Sequence, residues 1–262
     1  MGKKHRTLVI ISVLIFLTAV FAMYLLIAHL PRNPLAETRQ IVLVVSKTAS
    51  SHDAMLYTYE RDSDSDNWRF RFSCPAVIGK NGLAWGRGLH RDTVRVEGEP
   101  VKAEGDNCSP QGVFALTGVY GTYQPSMMRI RFPYTQITED MACIDDVRSE
   151  YYNMIVSGAE AGLESDNPPS HEDMLRDDGL YDLVVFVAHN SPDPKPGAGS
   201  CIFLHIWEGP GTYTAGCTAM ARENIIRLAG WLDPESRPLL VQLSRKNYRR
   251  LRDIWGLPEV KI

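Results

Sequence analysis

The chain has 262 residues, of which 44% are hydrophobic and 23% are charged, the composition of a globular protein with one sizeable domain. Its formal net charge of -3 argues against general nucleic-acid binding. A nucleotide-binding function has no support either, because no Gly-Lys-Ser/Thr phosphate loop follows a predicted strand.

The N-terminal segment differs from the rest of the chain. Residues 1–6 are rich in Lys and Arg, and residues 7–30 contain no Asp, Glu, Lys or Arg. Such a run is long enough to cross a bilayer as one helix, and the basic cluster predicts a cytoplasmic N-terminus. Signal peptides have a shorter apolar core and a small-x-small cleavage site, which Pro34 to Ala36 matches poorly. We expect a signal anchor, with cleavage as the alternative, then a linker over residues 31–38 and an extracytoplasmic domain on the periplasmic or cell-wall side.

Short apolar or alternating runs bounded by turn residues predict strands in the remaining chain. The predicted strands are residues 41–46, 55–59, 68–73, 181–188, 201–207 and 238–244. The glycine-rich stretch 75–121 predicts tight turns between short strands. The predicted fold class is therefore mainly β with flanking helices.

The segment 133–180 looks least like a simple sheet. Residues 149–161 predict a helix, and Asn167-Pro168-Pro169 predicts a loop. The acidic residues of this segment favour a solvated surface over a metal site, and an insertion that lines or covers a cleft is the sharper alternative. They include Glu139, Asp140, Asp145, Asp146, Glu150, Glu172, Asp173, Asp177 and Asp178.

A histidine and a cysteine stand close together in residues 199–220. In the predicted strand 201–207, alternation places His205 on one face with Phe203 and Trp207, opposite the aliphatic residues. Residues 219–232 predict a helix with Thr218 as its N-cap. Cys217 then precedes a helix N-terminus, where unpaired N–H groups favour a thiolate. A thiolate, an imidazole and backbone N–H donors are sufficient for acyl transfer.

The chain has five cysteines. In an oxidising compartment an odd number leaves one unpaired, and Cys217 is the natural candidate. The other four allow three pairings, between which the sequence does not choose, and free thiols throughout are the alternative. These four are Cys74, Cys108, Cys143 and Cys201.

The residues around Cys217 resemble the YkuD-type L,D-transpeptidases, whose signature is a histidine, a gap, and then Ser/Thr-His-Gly-Cys. The matching residues here are His205, Thr214, Gly216 and Cys217. Ala215 replaces the second histidine of the signature, and the gap after His205 is shorter than usual. These departures bear on substrate orientation more than on the nucleophile.

Other segments resemble the same family, so the likeness extends over residues 39–244. In chain order they are Glu104-Gly105-Asp106, Ser109 to Phe114, Cys143 to Asp146, Tyr152-Asn153, His189-Asn190 and Gly199-Ser200. The arginine common in the family two positions after the cysteine is replaced by Ala219. The resemblance implies a YkuD-like β-sandwich or barrel catalytic domain over residues 39–244. The basic residues of segment 245–262 predict a C-terminal extension with a solvated helix face, and contact with acidic lipid headgroups or cell-wall polymer is the weaker alternative.

The resemblance also implies an activity: a cysteine acyltransferase that forms L,D cross-links between peptidoglycan stem peptides without a cofactor. Cys217 would be the nucleophile and His205 the base, with His189 ranked second because only His205 matches the family's histidine. Backbone N–H groups of Gly216 and Thr218 would hold the oxyanion. The substrate-binding candidates are Trp207, Tyr213, Thr214 and His189.

Three alternatives stay open. Water as acceptor would give an L,D-carboxypeptidase or amidase with the same residues, and a non-catalytic peptidoglycan-binding module is a rival from another class. Rapid labelling of Cys217 by a thiol reagent would argue against that module. A zinc site made by His189, His205 and Cys217 is disfavoured, because their spacing matches no standard zinc motif.

Overall fold

The computed structural model describes Val13 and residues 16–18, 33–63, 66–90 and 92–260. Residues 34–262 form one compact unit, distinct from residues 1–33. The predicted signal anchor over residues 7–30 lies almost wholly outside the described residues, of which Val13 and residues 16–18 are helical. Among the residues that are described, no helix combines the length and the apolar character needed to span a membrane.

The described strands and helices follow one another in this order. The strands are β1 (Gln40–Ser46), β2 (Asp53–Glu60), β3 (Arg69–Val77), β4 (Leu83–Trp85), β5 (Ser109–Gly121), β6 (Tyr134–Gln136), β7 (Met141–Ile144), β8 (Ile155–Ser157), β9 (His171–Asp173), β10 (Leu183–Val187), β11 (Phe203–Ile206), β12 (Thr218–Met220) and β13 (Leu239–Ser244). In the compact unit the α-helices are α1 (Gly158–Ala161), α2 (Arg222–Trp231) and α3 (Arg245–Trp255). Single 3-10 turns lie at Asp92–Val94, Pro125–Met127 and Pro234–Ser236.

Eight strands form a closed, barrel-like sheet in the order β10-β11-β12-β3-β2-β1-β13-β5, with β5 pairing back to β10. The β1–β13 and β11–β12 pairs are parallel, and the other pairs around the ring are antiparallel. The mainly β prediction is confirmed. The glycine-rich stretch is less broken than expected, because Gly112, Gly118 and Gly121 lie inside the 13-residue strand β5.

The strand β3 exposes one of its faces, whereas β1, β10, β11 and β13 are buried on both faces. One face contributes to a core that includes Val42, Leu56, Phe114 and Leu204, and α2 adds Ile225, Leu228 and Ala229 to this core. Alternation along β1 and β13 sends Ile41, Leu43, Val241 and Leu243 to the other side, where Tyr248, Leu251 and Trp255 of α3 cover them. The predicted C-terminal extension therefore packs against the barrel as part of the domain.

The predicted linker also joins the domain. Leu35 is buried in the cluster under α3, and the Thr38 hydroxyl donates to the carbonyls of Gln40 and Arg237. The folded unit thus begins several residues before the predicted boundary at residue 39.

The insertion between β6 and β10 carries a second, three-stranded sheet in the order β8-β7-β9. The helix predicted over residues 149–161 is wrong, since residues 155–157 form β8 and only residues 158–161 are helical. A disulfide joins Cys143 of β7 to Cys201, two residues before β11. The insertion is thereby tied to the barrel strand that carries His205.

Candidate active site

Cys217 lies directly before β12, in the wall of the barrel. The helix predicted to begin at Ala219 begins at Arg222, because residues 218–220 pair with β11 as a parallel strand. The Cys217 sulfur accepts a hydrogen bond from the Phe203 N–H (3.3 Å), and its S–H faces the Cys201 carbonyl (3.5 Å). Strand pairing, rather than a helix N-terminus, holds this cysteine.

Two hydroxyl groups fix the backbone of Cys217. Ser109 Oγ donates to the Cys217 carbonyl at 2.8 Å, and Thr214 Oγ1 donates to the same carbonyl at 2.6 Å. Thr214 also accepts a hydrogen bond from the Gly216 N–H at 3.2 Å. Thr214 therefore holds the backbone of Cys217, the predicted nucleophile, a role that its match to the family signature did not specify.

The surroundings of Cys217 favour the neutral thiol. Burial, and then the charge of Glu172, raise the pKa of Cys217 to about 12, although the hydrogen bond from the Phe203 N–H partly opposes this rise. The expected lowering of the pKa by a helix N-terminus is therefore wrong. At neutral pH the resting protein holds a thiol, which can become a nucleophile only if a base takes its proton during attack.

His205 lies on β11, beside β12. In the parallel register His205 pairs with Ala219, so it shares a sheet face with Phe203 and with the side chain of Cys217. His205 Nδ1 lies 2.7 Å from the Ile206 carbonyl, which can only accept, so Nδ1 carries the hydrogen and Nε2 is left as an acceptor. Burial lowers the pKa of His205 to about 4, which keeps the ring neutral.

His189 does not belong to this site. Its Nδ1 accepts from the Arg87 N–H (3.2 Å), and its Nε2 lies 3.0 Å from the Ala198 carbonyl, so both ring nitrogens are used. The ring is fully buried against Phe114, and burial lowers its pKa to about 4. The prediction of His189 as second base or substrate contact is therefore corrected. The His189 ring instead connects the loop at Arg87 to the loop at Ala198 through its two hydrogen bonds.

A cavity of about 460 Å³ opens over Cys217 and His205. Trp207, Tyr213 and Thr214 line it, as the sequence predicted for substrate contacts, whereas His189 does not. Gly216 lines it too, but its N–H already donates to Thr214, and Thr218 sends its hydroxyl to Gln242 Oε1 (2.6 Å) in the core. The oxyanion donors stay a prediction.

The acidic insertion lines the same cavity. Asp145 and Glu172 were expected at a solvated surface, yet both contribute to the cavity wall, as does Glu104 from the barrel side. Arg176 and Lys102 supply positive charge there. The alternative interpretation of this segment, an insertion that lines a cleft, is the one that fits.

Asn153 holds the insertion against the strand that leads to His205. Its side-chain NH₂ donates to the carbonyls of His189 and Asn190 (both 2.9 Å), and its Oδ1 accepts from the Cys201 N–H (2.9 Å). Cys201 has a left-handed backbone (φ 52°), which these bonds and the disulfide to Cys143 stabilise. Of the three pairings that four cysteines allow, only this bond is present among the described residues, and Cys74, Cys108 and Cys217 are free.

Sequence reasoning missed Tyr181. Its hydroxyl donates to Glu172 Oε2 at 2.7 Å, and its ring packs edge-on against His205 (centroids 5.2 Å apart) and Phe203 (5.5 Å). Tyr181 begins the predicted strand 181–188, but nothing local distinguishes it from an ordinary buried aromatic residue.

No group of three or more His, Cys, Asp or Glu residues suited to a metal ion occurs within the described part of the chain.

In a comparison with models of protein families, residues 40–241 match the model named YkuD, the L,D-transpeptidase catalytic domain. Neither the curated proteins nor the solved structures include a significant match to the chain.

Proposed function

Because this match covers most of the chain, the protein belongs to the YkuD family of L,D-transpeptidase catalytic domains, and we propose that it cross-links peptidoglycan stem peptides through an acyl-enzyme on Cys217. One observation carries the proposal: His205 lies on β11, Cys217 lies directly before the adjacent parallel strand β12, and both line the same cavity. A nucleophile and a base beside a substrate-sized cleft are the parts that acyl transfer requires.

The first half-reaction forms a thioester. The sulfur of Cys217 attacks the carbonyl carbon at the L-centre of a stem tetrapeptide while His205 Nε2 takes the thiol proton. The same proton passes to the nitrogen of D-alanine as the C–N bond breaks and D-alanine leaves. The hydroxyls of Ser109 and Thr214 hold the backbone of Cys217 during attack. Backbone N–H groups of residues 216–218 would stabilise the oxyanion, and Gly216 would have to release Thr214 to take part.

The second half-reaction transfers the acyl group to an amine of a neighbouring stem. His205 Nε2 faces no described donor and would accept the proton of that amine. A neutral imidazole suits this step, because only the unprotonated ring can act as a base. Trp207 and Tyr213 would line the peptide groove, since both form its wall.

We also propose that the domain lies outside the cytoplasmic membrane, held by a signal anchor over residues 7–30. The location of peptidoglycan supports this, and so does the Cys143–Cys201 disulfide, which persists in oxidising compartments. In intact cells stripped of their outer layers, added protease should degrade the domain. Protection from protease until the membrane is lysed would contradict this location.

The experiment that tests the activity incubates the full-length protein with a disaccharide tetrapeptide, followed by mass spectrometry of protein and products. We expect an adduct on Cys217, free D-alanine and a dimeric muropeptide. Cys217→Ser should give none of these, whereas Cys108→Ala, which removes another buried free thiol, should behave as wild type. Dimer formation by Cys217→Ser would overturn the proposal.

The same products separate the alternatives. Tripeptide without dimer would indicate the hydrolase, and neither adduct nor product from folded protein would favour the binding module. Slow labelling of Cys217 by a thiol reagent does not favour that module, because the raised pKa of Cys217 makes the resting thiol unreactive even in an enzyme.

A further inference from the structure

A second cavity, of about 350 Å³, adjoins the cavity over Cys217. Val77 and Trp207 line both cavities, so the two meet at the end of the strand that carries His205. The first cavity accommodates the donor peptide in the proposed function, and the reaction joins that donor to a second peptide. A reaction between two bound peptides requires a place for each of them, and the second cavity is the adjoining space.

Strand pairing connects His205 to the wall of the second cavity. His205 pairs with Ala219 of β12, which pairs in turn with Val77 of β3. Val77 pairs with Asp53 of β2, which lines the second cavity. One row of paired residues therefore runs from the proposed base into this cavity.

Two basic residues lie beyond this row. Ser46 of β1 pairs with Ser244 of β13. The residues that follow them are Lys47 and Arg245, and both line the second cavity. Because β1 is the third strand from β12, Lys47 lies about 14 Å from Ala219 along the sheet. Four residues of extended peptide span about the same length, so a stem peptide can extend from the neighbourhood of the thioester to Lys47.

Neither basic residue has a partner of opposite charge. In the described part of the chain, Lys47 and Arg245 form no ion pair, and Arg245 Nε is buried without a hydrogen-bond partner. A buried N–H without an acceptor costs free energy, which a ligand that supplies the acceptor would recover. The described lining includes one acidic residue, Asp53, which is exposed at the start of β2. The second cavity is therefore suited to an anion.

The cavity over Cys217 has the opposite balance of charge. Its lining includes two basic residues, Lys102 and Arg176, and four acidic residues. The acidic residues are Glu104, Asp145, Glu172 and Glu208. The charge of the walls thus changes from negative to positive on passing Trp207. A ligand with an ammonium group at one end and a carboxylate at the other complements this change.

We propose that the second cavity binds the terminal carboxylate of the acceptor stem peptide through Lys47 and Arg245, while the amine of the acceptor reaches the thioester on Cys217. The proposal rests on the proposed function, since it requires an acyl-enzyme on Cys217. Trp207 lies two residues from His205, the base for the acceptor amine, so the second cavity fits the acceptor rather than the donor. The carboxylate is the feature of the acceptor that this site selects.

The test separates acylation from transfer. The full-length protein is first acylated by disaccharide tetrapeptide. Dimer formation is then followed by mass spectrometry with an acceptor stem tripeptide that ends in either a free carboxylate or an amide. For wild type, KM should be about tenfold higher for the amide acceptor, because an amide cannot accept charge-assisted hydrogen bonds from the two cations. The kcat values should be equal, because the carboxylate contributes to binding and not to the chemical step.

Variants of the two basic residues test the site itself. Lys47→Met and Arg245→Met remove the charge and keep most of the apolar side chain. Each should raise KM for the carboxylate acceptor about tenfold and leave KM for the amide acceptor unchanged, while D-alanine release during acylation keeps its wild-type rate. Lys246→Met, a matched change at the exposed residue beside Arg245 but outside the described lining, should affect neither acceptor. Thermal melting checks folding, and if Arg245→Met fails to fold, Lys47→Met and the comparison of the two acceptors decide.

Several results would overturn the acceptor site. Equal KM values of wild type for the two acceptors would do so, as would equal losses for both acceptors in the variants. Slower D-alanine release in Lys47→Met would place the donor in the second cavity instead. An adduct on Cys217 with free D-alanine, but no dimer from either acceptor, would remove the acceptor site and leave the nucleophile in place. Absence of any Cys217 adduct in wild type would remove both the acceptor site and the proposed function.

Discussion

Removing the Cys143–Cys201 disulfide should lower the thermal stability of the domain by a predictable amount. The bond joins residues 58 positions apart and connects the insertion to the strand that carries His205. Both cysteines are buried in the cluster that also contains Cys217, so Cys143→Ala with Cys201→Ala removes little besides the bond and a small sulfur volume. The loss should therefore reflect mainly the freedom that the unfolded chain regains.

The magnitude follows from the length of the closed loop. Closing a loop of this size removes chain entropy worth about 4 kcal/mol at 25 °C. For a domain of this size, each 1 kcal/mol shifts the melting temperature by about 2–4 °C, so the double variant should melt roughly 8–16 °C below wild type.

The assay is thermal melting followed by circular dichroism, with and without a phosphine reductant. Reductant should lower the melting temperature of wild type to that of the double variant and leave the variant unchanged. Cys108→Ala, which removes a free thiol, should keep the full response to reductant. A loss of less than about 3 °C would refute the reasoning, since the loop would then be ordered by other contacts or unfold separately.

Three further predictions concern single residues. Burial lowers the pKa of His189 to about 4, so the unfolded chain takes up a proton before the folded protein does, and stability should fall as pH drops from about 6.5 towards 4. In melting experiments at several pH values, His189→Gln should reduce this loss of stability by up to about 3 kcal/mol. An unchanged dependence on pH would refute the assignment. Thr214→Val removes the 2.6 Å hydrogen bond to the Cys217 carbonyl and should lower kcat about tenfold in the tetrapeptide assay. Thr214→Ser keeps the hydroxyl and should keep the wild-type kcat. Equal kcat values for Thr214→Val and wild type would contradict the positioning role. Gly112 has φ 140°, and the methyl group of an alanine at this position would lie 2.0 Å from the His90 ring. Gly112→Ala should therefore melt at least about 4 °C below wild type, and an unchanged melting temperature would disprove the clash.

The sequence predicted the parts of the fold that depend on local pattern. Apolar runs bounded by turn residues placed β1, β10, β11 and β13 within two residues of their observed ends. It misassigned β12, because three residues between a glycine turn and an apolar helix carry no period of their own. Parallel pairing with β11 decides that segment, and pairing is a tertiary property.

The residues of the candidate site also fall into those that the sequence pattern indicates and those that only tertiary folding brings together. Cys217 and His205 could be found because a short signature links them, and the structure brings both to one cavity. Tyr181 and Glu172 could not be found, since their hydrogen bond depends on how the insertion folds back over the barrel. The pKa of Cys217 was predicted in the wrong direction because burial raises it, and a strand rather than a helix follows Cys217.

The parallel pairing of β11 and β12 fixes the spacing of His205 and Cys217 independently of the loop that connects the two strands. Neighbouring strands lie about 4.8 Å apart whatever connects them, so the loop over residues 207–217 can change length without altering how far His205 lies from Cys217. That loop instead carries Trp207 and Tyr213, which shape the cavity wall. A change in the length of this connection therefore alters what the cleft admits, while the proposed nucleophile Cys217 and the proposed base His205 stay in register.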